Sequence, residues 1–335
     1  MKKRLFSGIQ PTGEVHIGNY LGAIKTWVKL LGKYDCIFSI VDYHAITIEH
    51  TPKGMPQRIL QAATVDIAAG LDPERCTIFV QSHVPEHTEL TWIFNTVTPL
   101  GHLERMTQFK DKARHHRENV NAGLFSYPVL QAADILLYKA EVVPVGEDQI
   151  QHIELSREIA RKFNRRYGNV FPEPKELLSD APRIMGLDAA NKMSKSMNNY
   201  IGLTESPKVI WEKLSVAVTD PARKRRSDCG TPEICNIYHL HRYFSSNEEI
   251  DWSANGCRTA GIGCLDCKKV LSDNIIRELA PVREKVRELD GDPGYVVDVL
   301  RRGAERCKEL AQETMKEVRS SMGLDLSVHP QPSKL

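Results

Sequence analysis

No stretch of this 335-residue chain stays apolar over the roughly 18 residues that a membrane-crossing helix needs, so no membrane partner is expected. An excess of one charge is missing too. Lys and Arg number 45 against 43 Asp and Glu, a net +2, which leaves only a local basic footprint for any nucleic-acid contact. The opening "MKKRLFSGIQ" has cations but neither an apolar core region nor a small-residue cleavage site. A secretory signal is therefore not expected, a reducing cytoplasmic setting is, and a disulfide framework is disfavoured. The dinucleotide fingerprint G-x-G-x-x-G is absent as well, which counts against nicotinamide or flavin chemistry.

What is present alternates. "RLFSGIQ", "CIFSIVDYHAI", "CTIFVQS" and "EVVPVG" are short and apolar enough for buried strands. Between and after them, "HIGNYLGAIKTWVKLL", "PQRILQAATVDIAA", "YPVLQAADILLY" and "QIQHIELSREIARKF" carry apolar residues at helical spacing. Pro56 suits a first helical turn, where its missing N–H has no partner to lose. Strands alternating with helices predict an α/β fold, a Rossmann-like doubly wound parallel sheet that binds ligands beyond the carboxyl ends of its strands. "FPEPKELLSDAP" reads as a linker and "AANKMSKSMNN" as a loop. From about residue 205 the parallel-strand alternation stops. "SPKVIWEKLSVAV", "DNIIRELAPVREKVREL" and "YVVDVLRRGAERCKELAQETMKEVRSSM" are helical by period, and "LDLSVHPQPSKL" reads as a frayed tail.

Three stretches carry chemistry. In "GIQPTGEVHIGN", Pro11, Thr12, Gly13 and Gly18 let the backbone turn tightly, and the following helix aims unpaired N–H groups at the same place, a natural phosphate site. His16 there either donates to phosphate or is structural. In "NKMSKSMNN", Lys192 and Lys195 stand three apart beside serines, as a clamp for a polyphosphate or as a solvated loop. In "YPVLQAADILLY", Tyr127, Gln131 and Asp134 share one helix face. Asp134 alone reads equally well as a surface carboxylate.

"HIGN" followed some 175 residues later by "KMSKS" resembles the signature pair of the class I aminoacyl-tRNA synthetases. Together with "IVDYHAIT", "LERMTQFKDKA", "VPVGEDQ" and "RIMGL", the chain resembles the bacterial tryptophanyl family over nearly its whole length. The resemblance implies ATP-dependent activation of L-tryptophan, with ATP and Mg2+ as substrate, and transfer to tRNA(Trp) by a homodimer. It implies a Rossmann-type catalytic domain over 1–204, a helical anticodon-binding domain over 205–294, C-terminal helices over 295–323 and a tail over 324–335. For ATP it implies Gln10, Pro11, Thr12, Gly18, Asn19, Gly146, Glu147, Asp148 and Ile184, with Lys192, Met193, Ser194, Lys195 and Ser196 of the lysine loop. His16, Lys112, Lys192 and Lys195 would be the catalytic groups. Asn19 stands where the class often has histidine, so a two-histidine phosphate clamp is not implied. Tryptophan would be held by Phe6, Gln10, His44, Tyr127, Gln131, Asp134, Val143, Val145 and Gln149, with Asp134 accepting the indole N–H. Phe6 occupies the place where tyrosyl enzymes, the nearest rivals, present a tyrosine to the substrate hydroxyl. A further rival is another nucleotidyltransferase with the histidine signature.

Cys36, Cys76 and Cys307 read as core residues. Cys235, Cys257, Cys264 and Cys267 follow C-x21-C-x6-C-x2-C, and four thiolates suit zinc or a four-iron cluster. The spacing resembles the 4Fe-4S site of a subset of the tryptophanyl family, with Zn2+ as alternative and Cys229 as a spare for Cys235. A redox enzyme would need electron partners that the sequence does not supply. The run Arg223, Lys224, Arg225, Arg226 is either a contact for tRNA phosphates or a solvated loop, and "HHRENVNAG" either touches the acceptor stem or is plain loop.

Overall fold

The computed structural model describes residues 2–115, 118–178, 184–195 and 197–325. Strands β1 (Arg4–Ile9), β2 (Asp35–Ile40), β3 (Thr77–Val80), β4 (Val142–Val145) and β5 (Lys175–Leu178) form one sheet in the order β3-β2-β1-β4-β5. Every neighbouring pair is parallel, with Arg4 opposite Asp35, Ile37 opposite Thr77 and Val142 opposite Lys175. Strands β1, β2 and β3 are apolar on both faces because helices cover both, and Leu5, Ile37 and Phe79 are fully buried. The chain winds outward from β1 to β3 and then returns to β4 on the other side of β1. That reversal opens a crevice between β1 and β4 at their carboxyl ends.

The covering helices are α1 (Lys25–Leu30), α2 (Met55–Ala68), α3 (Glu86–Asn95), α4 (Thr107–His115), α5 (Ala122–Leu137) and α6 (Ile150–Tyr167). In the second half follow α7 (Pro207–Val216), α8 (Asn236–Phe244), α9 (Asn247–Arg258), α10 (Cys264–Asp290) and α11 (Pro293–Ser321). Pro56 does lie in the first turn of α2. Among the described residues no helix is long and apolar enough to cross a membrane.

Two expectations are corrected. The segment read as a linker contributes β5, because its charged residues suit a sheet edge. Lys175 N–H bonds to the Glu141 carbonyl at 2.9 Å, and Arg157 of α6 pairs with Glu176 at 2.6 Å. The helix expected after the first strand is interrupted. One turn, Ile17–Asn19, runs into a π-helical turn, Tyr20–Ile24, before α1 begins. The wider turn carries Gly22 and Ala23 to the wall of the crevice, and such turns gather at functional sites.

The helical half is seated on the sheet. One apolar core runs from Leu5 and Ile24 through Leu271, Ile275 and Leu279 to Val296 and Leu300. Lys25 and the Tyr20 hydroxyl both reach Glu278 of α10 at 3.1 Å. Helix α11 crosses β3 so closely that a Cβ on Gly303 would collide with the Ile78 carbonyl. Arg306 grips Asp35 at 2.8 and 2.9 Å, and Arg319 grips Glu89.

Candidate active site

A cavity of about 320 Å³ opens at the crevice between β1 and β4. Phe6 from β1 and Val143 and Val145 from β4 supply its apolar wall, with Trp27 from α1. Helix α5 starts at an Asn121 cap that accepts from Leu124 N–H, and its face presents Tyr127, Gln131 and Asp134 to the cavity. Gln10, His44, Lys112, Gly146 and Gln149 also line it. The structure thus brings together every residue expected around tryptophan.

Asp134 is not a surface carboxylate; it is 1% exposed. Oδ2 meets His44 Nε2 at 2.7 Å, while Oδ1 accepts from Gln81 Nε2 at 2.7 Å and meets His87 Nδ1 at 2.6 Å. Burial works to raise its pKa, but His44 and His87 prevail and hold it well below the usual carboxylate range. A carboxylate offers about four acceptor positions and these partners fill three, leaving one on a residue that lines the cavity. Tyr127 packs edge-on to His44, and its hydroxyl lies 3.0 Å from His152 Nε2. Gln131 donates to Gln149 at 3.4 Å. Lys112 lies over the Tyr127 ring at 4.1 Å, and burial lowers its pKa.

The second half of the site is built from the turn after β1. Thr12 N–H bonds to the Gln10 carbonyl, Pro11 is buried, and Gly13 takes φ +119°, which a side chain would strain. The Lys195 side chain lies against Gly13. His16 caps the next turn: its Nδ1 accepts from Asn19 N–H at 3.3 Å, and the Asn19 side chain accepts from His16 N–H. Burial, then Lys195 and Lys192, push its pKa down to about 4, so the ring is neutral. With Nδ1 accepting, Nε2 must carry the proton, which makes His16 a hydrogen-bond donor rather than a cation. A Cβ at Gly18 would sit 2.9 Å from this imidazole. The glycine lets the ring lie flat.

The lysine loop is anchored. Met193 N–H bonds to the buried Ile184, Met185 bridges to Lys192, and Ser194 N–H bonds to the Asn199 side chain at 2.8 Å. Lys192 reaches Asp148 at 3.9 Å, which ties the loop to the turn Glu147–Gln149 that follows Gly146. Burial lowers the Lys195 pKa to about 8, partly opposed by Glu14. Ser196 lies outside the described residues, as do His116 and Arg117 of the loop considered for the acceptor stem.

Cys235, Cys257, Cys264 and Cys267 line one small cavity between α8, α9 and α10, while Cys229 is exposed and not part of its lining. Among the described residues, however, no group of three or more His, Cys, Asp or Glu is placed to hold a metal ion, so an assembled centre is not found. Burial pushes Cys267 up to about 12 and raises Cys257, and Cys267 Sγ lies 3.4 Å from His241 Nε2. Arg223 is a correction to the basic run: it is 8% exposed and braces this region through the carbonyls of Asp228, Arg226 and Ile262. Lys224, Arg225 and Arg226 face solvent.

Sequence reasoning missed Gln81, His87, Tyr138 and His152. Only "QSHVPEH" at the end of β3, with two histidines at a strand terminus, offered a signal.

The family described as tRNA synthetases class I (W and Y) matches residues 1–280. A tryptophan–tRNA ligase of Deinococcus radiodurans is 52% identical over 96% of this chain and 98% of its own length. One from Thermotoga maritima is 46% identical over 96% and 99%. The chain belongs to the tryptophanyl-tRNA synthetases. A solved tryptophanyl-tRNA synthetase from Campylobacter jejuni, described as complexed with ADP and tryptophane, superposes with a TM-score of 0.86 at 36% identity, covering 96% of this chain and 99% of that one. Against a tyrosyl enzyme from Archaeoglobus fulgidus, at 21% identity and TM-score 0.66, only the fold is shared. Within the tryptophanyl-tRNA synthetases, then, the crevice at β1 and β4 is where an adenylate-forming site has to be sought.

Proposed function

We propose that the crevice divides the ligation of tryptophan to tRNA(Trp) between an indole pocket and a triphosphate clamp. The observation that carries this reading is the single ionised carboxylate of Asp134 in an apolar wall, next to a turn overlaid by Lys195. Indole has one N–H to donate and asks for one acceptor. Phe6, Val143 and Val145 pack its faces, His44 and Tyr127 close the pocket, and Gln10, Gln131 and Gln149 orient the amino acid. A phenol entering instead has a hydroxyl oxygen that gains no donor from Phe6, and its single ring fills less of the apolar pocket than indole does.

The tryptophan carboxylate, already ionised at neutral pH, attacks the α-phosphorus of Mg·ATP and pyrophosphate leaves. No protein nucleophile is needed. Gln10, Pro11, Thr12, Gly18, Asn19, Ile184, Gly146, Glu147 and Asp148 hold the nucleotide. His16 donates through Nε2, and Lys112, Lys192 and Lys195, with Met193, Ser194 and Ser196 of the same loop, meet charge that grows in the transition state. The terminal ribose hydroxyl of tRNA then attacks the adenylate carbonyl, and AMP leaves.

Residues 205–294 read the anticodon, with Lys224, Arg225 and Arg226 toward phosphates, residues 295–323 close the helical half, and the enzyme works in the cytoplasm as a homodimer. The four thiols bind a metal centre, 4Fe-4S by the spacing resemblance or Zn2+. Supporting this, Arg223 and Lys268 are both buried beside the thiols, and Lys268 Nζ donates to the Ser215 carbonyl at 2.8 Å. Two cations in that place suit a thiolate-bound centre of either kind. Such a centre would fix the three segments that carry its cysteines.

ATP–pyrophosphate exchange should depend on tryptophan and not respond to tyrosine; equal exchange with tyrosine would overturn the indole reading. Iron, sulfide and zinc analysis of anaerobically purified protein, with a visible spectrum, tests the thiols. A colourless protein with one zinc excludes iron, and metal-free protein excludes both.

A further inference from the structure

Asp134 is the hub of a buried polar chain that leads away from the cavity. His87, fully buried on α3, meets Asp134 Oδ1 through Nδ1 at 2.6 Å and Tyr138 Oη through Nε2 at 2.7 Å. Tyr138, fully buried at the end of α5, lies beside Cys307 of α11. Phe79 stacks on His87 and Phe6 stacks on Tyr138, so neither ring is free to turn. Neither His87 nor Tyr138 touches the cavity.

The donors and acceptors fit in one direction. With the Tyr138 hydroxyl donating to His87 Nε2, the ring presents an Nδ1 proton that it donates to Asp134. Reversing the tautomer would set the Nδ1 lone pair against a carboxylate at 2.6 Å. Tyr138 therefore fixes the His87 tautomer, and His87 fixes the Asp134 oxygen that His44 does not hold.

We propose that His87 and Tyr138 are positioning residues for tryptophan selection, aiming the remaining acceptor position of Asp134 at the indole N–H. This rests on the reading of Asp134 as the indole acceptor. The cavity-lining residues recognise the ring by shape. The buried chain makes that recognition depend on one proton.

The test compares L-tryptophan with its benzothiophene analogue, in which sulfur replaces the indole N–H, by kcat/KM in ATP–pyrophosphate exchange with the full-length enzyme. Three variants are needed: Asp134→Asn, His87→Leu and Tyr138→Phe. Asp134→Asn should bring the tryptophan-to-analogue ratio close to one. His87→Leu should lower it about tenfold and Tyr138→Phe about threefold, through KM for tryptophan, with KM for ATP unchanged. Should His87→Leu fail to fold, Tyr138→Phe decides, since it removes one hydroxyl and keeps the ring. An unchanged ratio in Asp134→Asn removes the indole-acceptor reading itself. A ratio that collapses in Asp134→Asn but stays at wild type in Tyr138→Phe and in any folded His87→Leu protein overturns the positioning role alone. Equal losses for both amino acids would mark the two residues as structural only.

Discussion

Lys195 offers a test in which the structure sets both the sign and the size. Its ammonium lies against the Gly13 turn, partly out of water, and burial brings its pKa from the ordinary lysine value of 10.5 down to about 8. About nine tenths of the enzyme then carries the charge at pH 7 and about one tenth at pH 9. A cation aimed at developing phosphate charge is worth on the order of 10²–10³ in rate, so the neutral form contributes little. The value of kcat/KM for ATP, measured by exchange at saturating tryptophan, should fall about tenfold per pH unit above 8. Using kcat/KM reports the free enzyme, before ATP can restore the proton. Arginine stays charged throughout, so Lys195→Arg should be slower overall but lose this alkaline limb. Stability should move the other way. Because the folded pKa lies below the unfolded one, the unfolded chain binds more protons between about pH 8 and 10.5, and stability gains from this group as pH rises through that window. An alkaline limb that is the same in Lys195→Arg would refute the assignment.

Two glycines give further tests. Gly18→Ala should lower kcat about 10–100-fold by pushing the His16 ring off Asn19 N–H, while changing the melting temperature little, since alanine suits a helical turn. Gly303→Ala should cost about 1–3 kcal/mol in a denaturant titration, because α11 must lift from the Ile78 carbonyl. An exchange activity for Gly18→Ala equal to wild type, or a Gly303→Ala midpoint unchanged, would contradict the packing argued for each.

The catalytic stretches could be read in the sequence because adenylate chemistry packs its groups into short local patterns. His16, Gly18 and Asn19 share one turn, Lys192 and Lys195 one loop, and Tyr127, Gln131 and Asp134 one helix face. What surrounds them could not be read, because it is assembled from afar. Gln81 comes from the end of β3 and His87 from α3, and Cys307 reaches Tyr138 from α11. Asp134 therefore looked like a possible surface acid until four elements closed over it. The β5 edge was hidden for another reason: "KELL" carries its charges outward and has no apolar alternation to announce a strand. Arg223 sat in a run of four cations, and only its carbonyl partners separate it from its exposed neighbours.

The electrostatics of the crevice point to the order of its chemistry. Burial depresses the pKa of His16, Lys112, His152 and Lys195, so these four basic groups around the crevice are held partly out of water. The one strongly depressed carboxylate, Asp134, is already taken up by His44, Gln81 and His87 and cannot neutralise them. An anion that arrives there meets the neutral His16 donor and the partly desolvated ammonium groups of Lys112 and Lys195, so part of their reorganisation has been met in folding rather than in the reaction. On the proposed reading, the triphosphate would supply that charge from the loop side and the tryptophan carboxylate from the pocket side. These two anions must approach each other for the α-phosphorus to be attacked, and their repulsion in water opposes it. On the proposed reading, the partly desolvated Lys195 against Gly13, and Lys192 tied to Asp148 on the same loop, would relieve that repulsion where the two halves of the crevice meet.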